Sequence, residues 1–345
     1  MKNNRRWLLH TLVIVGLPLL LIGGFNYYID PLWCFNHANK YNYIQIPFDE
    51  RQQKTNRIHF TPADYDTVIL GSSRTTYLDQ SELEGYRAYN YALSIMLLEE
   101  YYDYLEYAKK QVGYDFPCIV IGMDFFVTNQ NIRLQNEFRP PSYYIAIADS
   151  FAYRYKTLLS LDVLEYSRKN YEASRNGIPQ TFDYDRDGRK TLVRISPEET
   201  QHLVTANIEN YRQNIFADYQ YRDVRGILAR LKAANPNSRF IIFTTPTYRA
   251  LWGLMVQQGL LPYYELWLTD IVSVFGQVYN FDYPNSVTSN INNFYDASHV
   301  YPEIEAMIAH RIIDQYDAAV PPDFGILLNQ DNLSENLQRI RNLGN

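Results

Sequence analysis

Cysteine is scarce in this sequence, which has only Cys34 and Cys118 among its 345 residues. Cys118 lies in an apolar run typical of a central strand, whereas Cys34 follows the apolar N-terminal stretch. A disulfide between two residues in such different settings is not expected. The fold must therefore be held together by its core, and the cysteine count does not reveal the redox compartment.

An excess of positive charge is also absent. The chain has 32 Lys and Arg against 38 Asp and Glu, a formal net charge of −6, and no clustered basic stripe. Because nucleic-acid binding needs a basic surface, we expect no nucleic-acid partner. His59, His202 and His310 have no neighbours at zinc-ligand spacing, so no metal site or cofactor is expected either. Tyrosine, by contrast, has 32 copies, which suit carbohydrate surfaces as well as ordinary packing.

The N-terminus has the pattern of a membrane anchor. Lys2, Arg5 and Arg6 precede an almost wholly apolar stretch, Trp7–Phe25, which is long enough to span a bilayer. The positive-inside rule places this N-terminus in the cytoplasm and the chain after residue 30 outside. No A-x-A-like cleavage site follows closely, which favours a retained signal anchor over a cleaved signal peptide. The sequence predicts a single-pass cell-membrane protein with an extracytoplasmic C-terminal domain, anchored by residues 1–30 in the lipid bilayer.

Beyond a polar linker at 31–63, short apolar runs alternate with segments of helical periodicity. The runs that predict strands with their turns are 67–73, 86–91, 118–126, 239–247 and 278–281, and the predicted helices are 95–111, 224–234, 263–275 and 302–316. Strand, helix, strand order implies parallel pairing. We therefore expect an α/β protein, specifically three α/β/α layers with a parallel, flavodoxin-like sheet, plus one N-terminal transmembrane helix.

The main domain is predicted to cover 64–320, with an insertion at about 128–199 that breaks the strand and helix rhythm. Open α/β sheets hold ligands at the carboxyl ends of their strands, so this insertion either shapes a substrate groove or is a structural lid. Its charged turn Asp183–Arg189 matches half of a calcium loop, but Arg194 stands at the twelfth position and favours a plain polar turn. Residues 321–345 form a tail that ends in an amphipathic helix.

The segment Gly71-Ser72-Ser73-Arg74 ends the first predicted strand. A small residue before the turn lets the backbone bend sharply, and a serine there projects its hydroxyl into the crevice at the strand's carboxyl end. The same turn chemistry also serves to bind a phosphate through backbone N–H groups or to cap the next helix. Arg74 either fixes an anionic substrate group or forms a surface ion pair.

The segment Asp296-Ala-Ser-His299 follows the last predicted strand. A spacing of three lets the carboxylate hold one imidazole nitrogen while the other faces a serine hydroxyl, as a general base requires. The alternative is that Asp296 merely caps the next helix. Thr245, Pro246 and Tyr248 end another strand at the same edge of the sheet, where they line a pocket or simply form a turn.

These two segments resemble the SGNH, or GDSL-like, hydrolase superfamily, whose first block is a strand followed by G-D-S and whose last block is D-x-x-H before the final helix. The resemblance covers about residues 65–315. With Ser72 in place of the Asp of G-D-S and an N-terminal anchor, the chain is most similar to membrane-anchored cell-envelope members, the DltD-like and alginate-acetylation-like proteins. The resemblance implies Ser73 as nucleophile, His299 as general base and Asp296 as the group that orients it.

The chain departs from the superfamily at the oxyanion hole, which is built from the nucleophile's N–H, a glycine N–H and an asparagine side chain. The second block has no glycine, which leaves the N–H of Ala92 as the candidate. Asp124 stands where asparagine is expected, and an ionised carboxylate cannot donate a hydrogen bond to an oxyanion. Asp124 is therefore protonated, bonds to the backbone or to Arg74, or marks weakened catalysis. Gly71, Arg74, Ala92 and Asp124 are the candidates for oxyanion or substrate binding.

The resemblance implies a serine-dependent esterase or O-acyltransferase that acts on cell-envelope polysaccharide or a related acyl ester. It also implies a membrane-bound O-acyltransferase as a partner. The altered oxyanion positions motivate an alternative from a different class of function, a catalytically weak or inactive SGNH-like protein that binds glycan and scaffolds envelope polysaccharide biosynthesis.

Overall fold

The computed structural model describes residues 2–132 and 138–343. They form two compact units, one from Met1–Ala63 and Ser142–Val193 and the other from Asp64–Pro141 and Arg194–Asn345. The sequence predicts the anchor, the linker and the insertion as separate segments. In the structure, the first unit contains parts of all three.

Eight strands and twelve α-helices are present in the described residues and are numbered here in chain order. The strands are β1 Thr67–Leu70, β2 Ala88–Asn90, β3 Cys118–Met123, β4 Phe182–Tyr184, β5 Lys190–Leu192, β6 Arg239–Thr244, β7 Gln277–Asn280 and β8 Ile326–Asn329. The helices are α1 Lys2–Ile29, α2 Glu50–Phe60, α3 Glu100–Val112, α4 Pro141–Asp149, α5 Tyr153–Lys156, α6 Leu161–Asn176, α7 Pro197–Asn210, α8 Val224–Ala233, α9 Arg249–Gln257, α10 Leu261–Phe275, α11 Pro302–Ile312 and α12 Leu333–Leu343.

A mostly parallel six-stranded sheet forms the centre of the second unit. Its strand order is β2-β1-β3-β6-β7-β8. The first five strands pair in parallel, so their carboxyl ends meet at one edge, and β8 pairs antiparallel with β7. The expectation of an α/β protein with a largely parallel sheet is confirmed, but the tail contributes the edge strand β8 as well as the predicted helix.

Apolar side chains bury this sheet. All residues of β1 and β3 are buried, which explains their near-continuous Val, Ile and Leu content. Ile304, Ile308 and Ile312 recur every four residues along α11 and join the core cluster that also contains Ile69 and Phe243. This spacing places one face of α11 against the core.

Several helices begin at a residue whose side chain satisfies a free backbone N–H of the first turn. Such a cap stabilises a helix by about 1 kcal/mol. The capping residues are Asp49 before α2, Ser160 before α6, Ser196 before α7 and Asp223 before α8. Local sequence therefore sets where these helices start.

In the first unit, the polar segment predicted as a linker contains helix α2, whose polar side chains are largely buried. The amide of Gln53 donates to Pro31 O at 2.8 Å, that of Asn56 to Leu32 O at 3.0 Å, and that of Gln52 to Tyr144 O at 3.3 Å. Buried polar groups are stable when they are hydrogen-bonded in this way. A polar composition here reflects the binding of backbone carbonyls rather than contact with solvent.

The structure bears on two predictions for the first unit, the membrane-spanning helix and the charged turn at Asp183–Arg189. Within α1, the 24 residues Arg6–Ile29 are long and apolar enough to cross a membrane, by length and composition only. The charged segment between β4 and β5 is a polar turn, because the Asp185 carboxylate accepts the N–H groups of Asp187 at 2.8 Å and Arg189 at 3.0 Å. The plain-turn interpretation of that segment is therefore confirmed.

Thr75 packs closely beneath the ends of β1 and β3 in the second unit. A Cβ atom added to Gly122 would lie 2.0 Å from Thr75 Oγ1 and 2.8 Å from the Phe243 ring, and one added to Gly71 would lie 2.3 Å from Thr75 Oγ1. These are much shorter than van der Waals contacts. The two glycines therefore allow the turn after β1 to pack against β3.

We expect Gly122→Ala to lower the free energy of unfolding by about 1–3 kcal/mol, because the added methyl overpacks the site. Gly253→Ala is the matched control, since nothing lies within 4 Å of its added Cβ and alanine is favoured over glycine in a helix. Chemical denaturation of the full chain in detergent measures both variants. Equal stability of the two variants would contradict the close approach.

Candidate active site

Ser73 lies in the turn directly after β1, before a 3₁₀ helix at Thr75–Tyr77. The Leu93 N–H donates to Gly71 O at 3.0 Å, and the Ser72 hydroxyl accepts the Arg74 N–H at 3.3 Å. These bonds fix the turn on both sides of the serine. The Ser73 hydroxyl oxygen lies 2.9 Å from His299 Nε2, within hydrogen-bond distance.

His299 and Asp296 occupy the loop before α11. The loop is closed by an isolated bridge between Phe294 and Val300 and by a bond from the Tyr295 N–H to His299 O at 2.9 Å. Within it, His299 Nδ1 lies 2.9 Å from Asp296 Oδ2 and 3.1 Å from Oδ1. The structure thus brings Ser73, His299 and Asp296 together in one continuous hydrogen-bond series.

The Asp296 carboxylate is held in its ionised form. Burial by itself raises its pKa, but the His299 charge and hydrogen bonds from His299 and Ser298 outweigh burial and hold the pKa at about 2. An ionised carboxylate only accepts hydrogen bonds, so His299 Nδ1 carries a proton. In neutral His299, Nε2 is then left to accept the Ser73 hydroxyl proton, which is the tautomer a general base needs.

Arg74 and Asp124 form an ion pair beneath this series. Both side chains are buried, and Arg74 Nη1 lies 3.3 Å from Asp124 Oδ1. Arg74 also donates to Thr245 Oγ1 at 3.2 Å and to the Tyr211 hydroxyl, and its guanidinium lies 5.3 Å from the Phe126 ring centre. The Thr245 hydroxyl donates to Asp124. From the sequence, Asp124 is expected to be protonated, to bond to the backbone or to Arg74, or to mark weakened catalysis. The structure shows the ion pair with Arg74.

This arrangement changes the expected role of Arg74. With 4 % of its side chain exposed, Arg74 is buried and contacts Asp124, Thr245 and Tyr211, so it is not a surface ion pair. Burial by itself lowers the pKa of Arg74, but the charges of Tyr211, Asp124 and more distant carboxylates raise it overall. The guanidinium therefore stays charged and neutralises Asp124.

Two further buried carboxyl groups interact electrostatically with this ion pair. Burial, and next the charge of Asp124, raises the pKa of Glu305 to about 8. Burial also raises the pKa of Asp282 to about 6, although Thr247 donates two hydrogen bonds to it. Glu305 is therefore mostly protonated at neutral pH.

Sequence reasoning missed Asp282, Glu305 and Tyr211. Two signals were available. Asp282 comes two residues after β7, near the carboxyl end of a parallel strand, where open α/β sheets place functional groups. Glu305 stands between the apolar Ile304 and Ile308 on the core-facing side of α11. Tyr211 lies after α7 with no comparable signal.

The four residues expected to bind an oxyanion or substrate have other contacts. The Ala92 N–H donates to Asn90 Oδ1 at 3.0 Å, Gly71 allows close backbone packing, and Arg74 and Asp124 bond to each other. Within residues 2–132 and 138–343, no backbone carbonyl accepts the N–H of Ser73. That N–H is therefore the candidate donor to an oxyanion formed at Ser73.

The loop after β6 contacts the loop that holds Asp296 and His299. The Tyr248 N–H donates to Ala297 O at 3.0 Å, and its ring lies 5.7 Å from the Phe294 ring. Thr245 bonds to Arg74 and Asp124 as described. Thr245 and Tyr248 thus hold neighbouring parts of the site in position.

A small cavity lies beside Arg74. It has a volume of about 20 Å³, is lined also by Tyr211, Trp252 and Asp282, and has room for about one water molecule.

A serine hydroxyl, an imidazole and an ionised carboxylate in series constitute the arrangement used for covalent catalysis by an activated serine. The chain matches no protein-family model and no curated protein. The function is therefore inferred from the geometry of Ser73, His299 and Asp296.

We expect Arg74→Gln to reduce the free energy of unfolding by about 3–5 kcal/mol, because it leaves the Asp124 carboxylate buried without a countercharge. Adding Asp124→Asn should recover part of that loss. Arg168→Gln is the control, since its pair with Glu172 is exposed and should change stability by less than about 1 kcal/mol. Additive losses in the Arg74 and Asp124 double variant would show that the two side chains are not coupled.

The pKa of Glu305 predicts a pH dependence of stability. A folded-state pKa of about 8 against 4.5 for an ordinary glutamate means that the folded chain keeps a proton that the unfolded chain releases. Stability contributed by this group therefore falls as pH rises from about 4.5 to about 8. Glu305→Gln should be more stable than the wild type at pH 8.5 and differ less at pH 5, as measured by denaturant unfolding. Glu303→Gln, an exposed change on the same helix, should show no such trend; a similar trend in it would argue against the assignment.

Proposed function

We propose that this protein is a serine-dependent esterase or O-acyltransferase that acts on cell-envelope polysaccharide or a related acyl ester. The observation that supports this most is the hydrogen-bond series in which Ser73 Oγ lies 2.9 Å from His299 Nε2 and His299 Nδ1 lies 2.9 Å from Asp296. Within hydrogen-bond reach, His299 can remove the serine proton while Asp296 orients the ring.

The proposed reaction begins when Ser73 Oγ attacks the acyl carbonyl carbon and its proton passes to His299 Nε2. The Asp296 carboxylate stabilises the resulting imidazolium, and the Ser73 N–H faces the oxyanion of the tetrahedral intermediate. Collapse of the intermediate releases the first alcohol, which takes the proton from His299 and leaves an acyl group on Ser73. Water or a sugar hydroxyl, deprotonated by His299, then attacks the acyl-serine and restores the free serine.

The strand order supports membership of the SGNH superfamily and a three-layer, flavodoxin-like α/β/α architecture. Counting sheet strands alone, the parallel order β2-β1-β3-β6-β7 corresponds to 2-1-3-4-5, the order of flavodoxin-like folds. Ser73 follows the first strand, and Asp296 and His299 precede α11. These are the positions that the superfamily resemblance implies for its first and last blocks.

Helix α1 and the charges around it support a location at the cell membrane. Basic residues precede its apolar stretch and Asp30 follows it, which favours a cytoplasmic N-terminus and an extracytoplasmic catalytic domain. An acyl group supplied by a membrane-bound O-acyltransferase, and polysaccharide as its acceptor, fit this location.

A second candidate function is a catalytically weak or inactive SGNH-like protein that binds glycan and scaffolds polysaccharide biosynthesis. It is favoured by the contacts of Ala92 and Asp124, since neither is placed to donate to an oxyanion. Loss of one oxyanion donor lowers the rate by about 10²- to 10³-fold.

A fluorophosphonate probe distinguishes the two candidates, because it labels activated serines. The full chain should be labelled, and Ser73→Ala should abolish labelling. Ser334→Ala, which changes an exposed serine of α12, is the control and should leave labelling unchanged. His299→Gln should slow labelling by about 10²- to 10⁴-fold, the usual contribution of a general base.

Absence of labelling in the folded wild type would contradict the enzyme proposal. Binding of cell-envelope polysaccharide by an unlabelled chain would then favour the scaffold. Labelling that persists in Ser73→Ala would place the reactive nucleophile elsewhere.

A further inference from the structure

Helix α1 has aromatic residues near both ends of its apolar stretch. Trp7 lies at one end, and Tyr27 and Tyr28 lie at the other, all of them exposed. Twenty residues separate Trp7 from Tyr27, which corresponds to about 30 Å of helix and equals the thickness of a bilayer's hydrocarbon core. Since Trp and Tyr prefer the two membrane interfaces, the helix would leave the hydrocarbon near Asn26 and Tyr27.

The segment 157–161 is attached to α1 at this level. The Asn26 side chain is buried and donates to Leu158 O at 2.8 Å and Ser160 O at 3.2 Å. One turn earlier, the Leu159 side chain lies 3.5 Å from the position of a Cβ on Gly23. Gly23 precedes Asn26 by three residues, or about 4.5 Å of helix, so Leu159 lies on the hydrocarbon side of Asn26.

Four large side chains between residues 151 and 161 are exposed, and we call this set the apolar patch. Phe151 is 88 % exposed, Leu161 69 %, Tyr155 54 % and Leu159 51 %. Tyr155 continues the aromatic row of α1, because its ring lies 6.3 Å from Phe35, which lies 4.8 Å from Tyr27. Clusters of large exposed apolar side chains are typical of surfaces that bind a membrane or another protein.

Basic side chains accompany the apolar patch. Lys156 Nζ lies 5.9 Å from the Phe151 ring centre, and the Arg154 guanidinium lies 4.8 Å from the Tyr155 ring centre. Aromatic and aliphatic side chains mixed with Lys and Arg are typical of segments that lie in the interface, where cations meet lipid phosphates and apolar groups enter the acyl boundary.

We propose that residues 151–161 form an interfacial membrane-binding surface, with the apolar patch inserted into the leaflet through which α1 leaves the bilayer. The inference rests on the membrane-spanning role proposed for α1 and is independent of the chemistry at Ser73. A bilayer is favoured as the occupant because the contacts at Gly23 and Asn26 hold Leu159 at the depth where lipid surrounds the helix. The patch gives the first unit a second contact with the membrane and so restricts rotation about α1.

Spin labels on the full chain in vesicles of phosphatidylethanolamine and phosphatidylglycerol test this proposal. Leu159→Cys and Leu161→Cys report on the patch, Ile14→Cys on the middle of α1, and Ile178→Cys, exposed beyond the far end of α6, is the matched control. The native Cys34 and Cys118 are buried, and the unsubstituted chain measures any labelling at them. Collisions with oxygen report lipid, and collisions with a water-soluble nickel complex report solvent.

We expect labels at residues 159 and 161 to collide more often with oxygen than with nickel, as the label at 14 does, and the label at 178 to show the reverse. Nickel collisions at 159 and 161 equal to those at 178 would overturn the proposal. Protection of 159 and 161 from both reagents would also overturn it and indicate a protein partner on the patch. Nickel access at 14 would refute the spanning role of α1, whereas probe labelling of Ser73 tests the catalytic proposal separately.

Discussion

The buried ion pair between Arg74 and Asp124 joins three strand ends, and the position of Ser73 depends on it. Arg74 follows β1, Asp124 follows β3, and Thr245, which bonds to both, follows β6. Ser73 is the residue immediately before Arg74. Because a buried charge without its partner is strongly unfavourable, the pair holds these three ends in one arrangement.

Two carboxyl groups of the second unit have opposite pKa shifts, and each shift has an identifiable cause. Asp296 lies in a loop whose N–H groups and imidazole surround its oxygens, so its pKa falls to about 2 despite burial. Glu305 is more deeply buried, with an Oε2 atom that accepts no hydrogen bond from the described residues, and its pKa rises to about 8. The charge of His299, together with hydrogen bonds from His299 and Ser298, lowers the pKa of Asp296, whereas Glu305 has no such hydrogen bonds to its charged form within the described residues. Strongly shifted pKa values of buried acids are frequent at functional sites.

The first unit stabilises its buried polar groups in a different way. Its α2 side chains are polar and buried, and their amides bind backbone carbonyls of the segments before α2 and of α4. Asn26 does the same for the segment before α6. Hydrogen bonds from side-chain amides, rather than pairing between strands, therefore hold the irregular backbone around α1 and α2 in place.

The sequence alone determined the features that depend on neighbours along the chain. Apolar runs predicted β1, β3, β6 and β7, and the strand-end positions of Ser73 and of the Asp296–His299 segment predicted that they would meet. Local composition could not show that a polar segment folds into α2, or that the tail adds β8, because both depend on partners distant in sequence. Tertiary structure also decided that Asp124 bonds to Arg74 and that Glu305 retains its proton, since burial and the charges of distant residues set both outcomes.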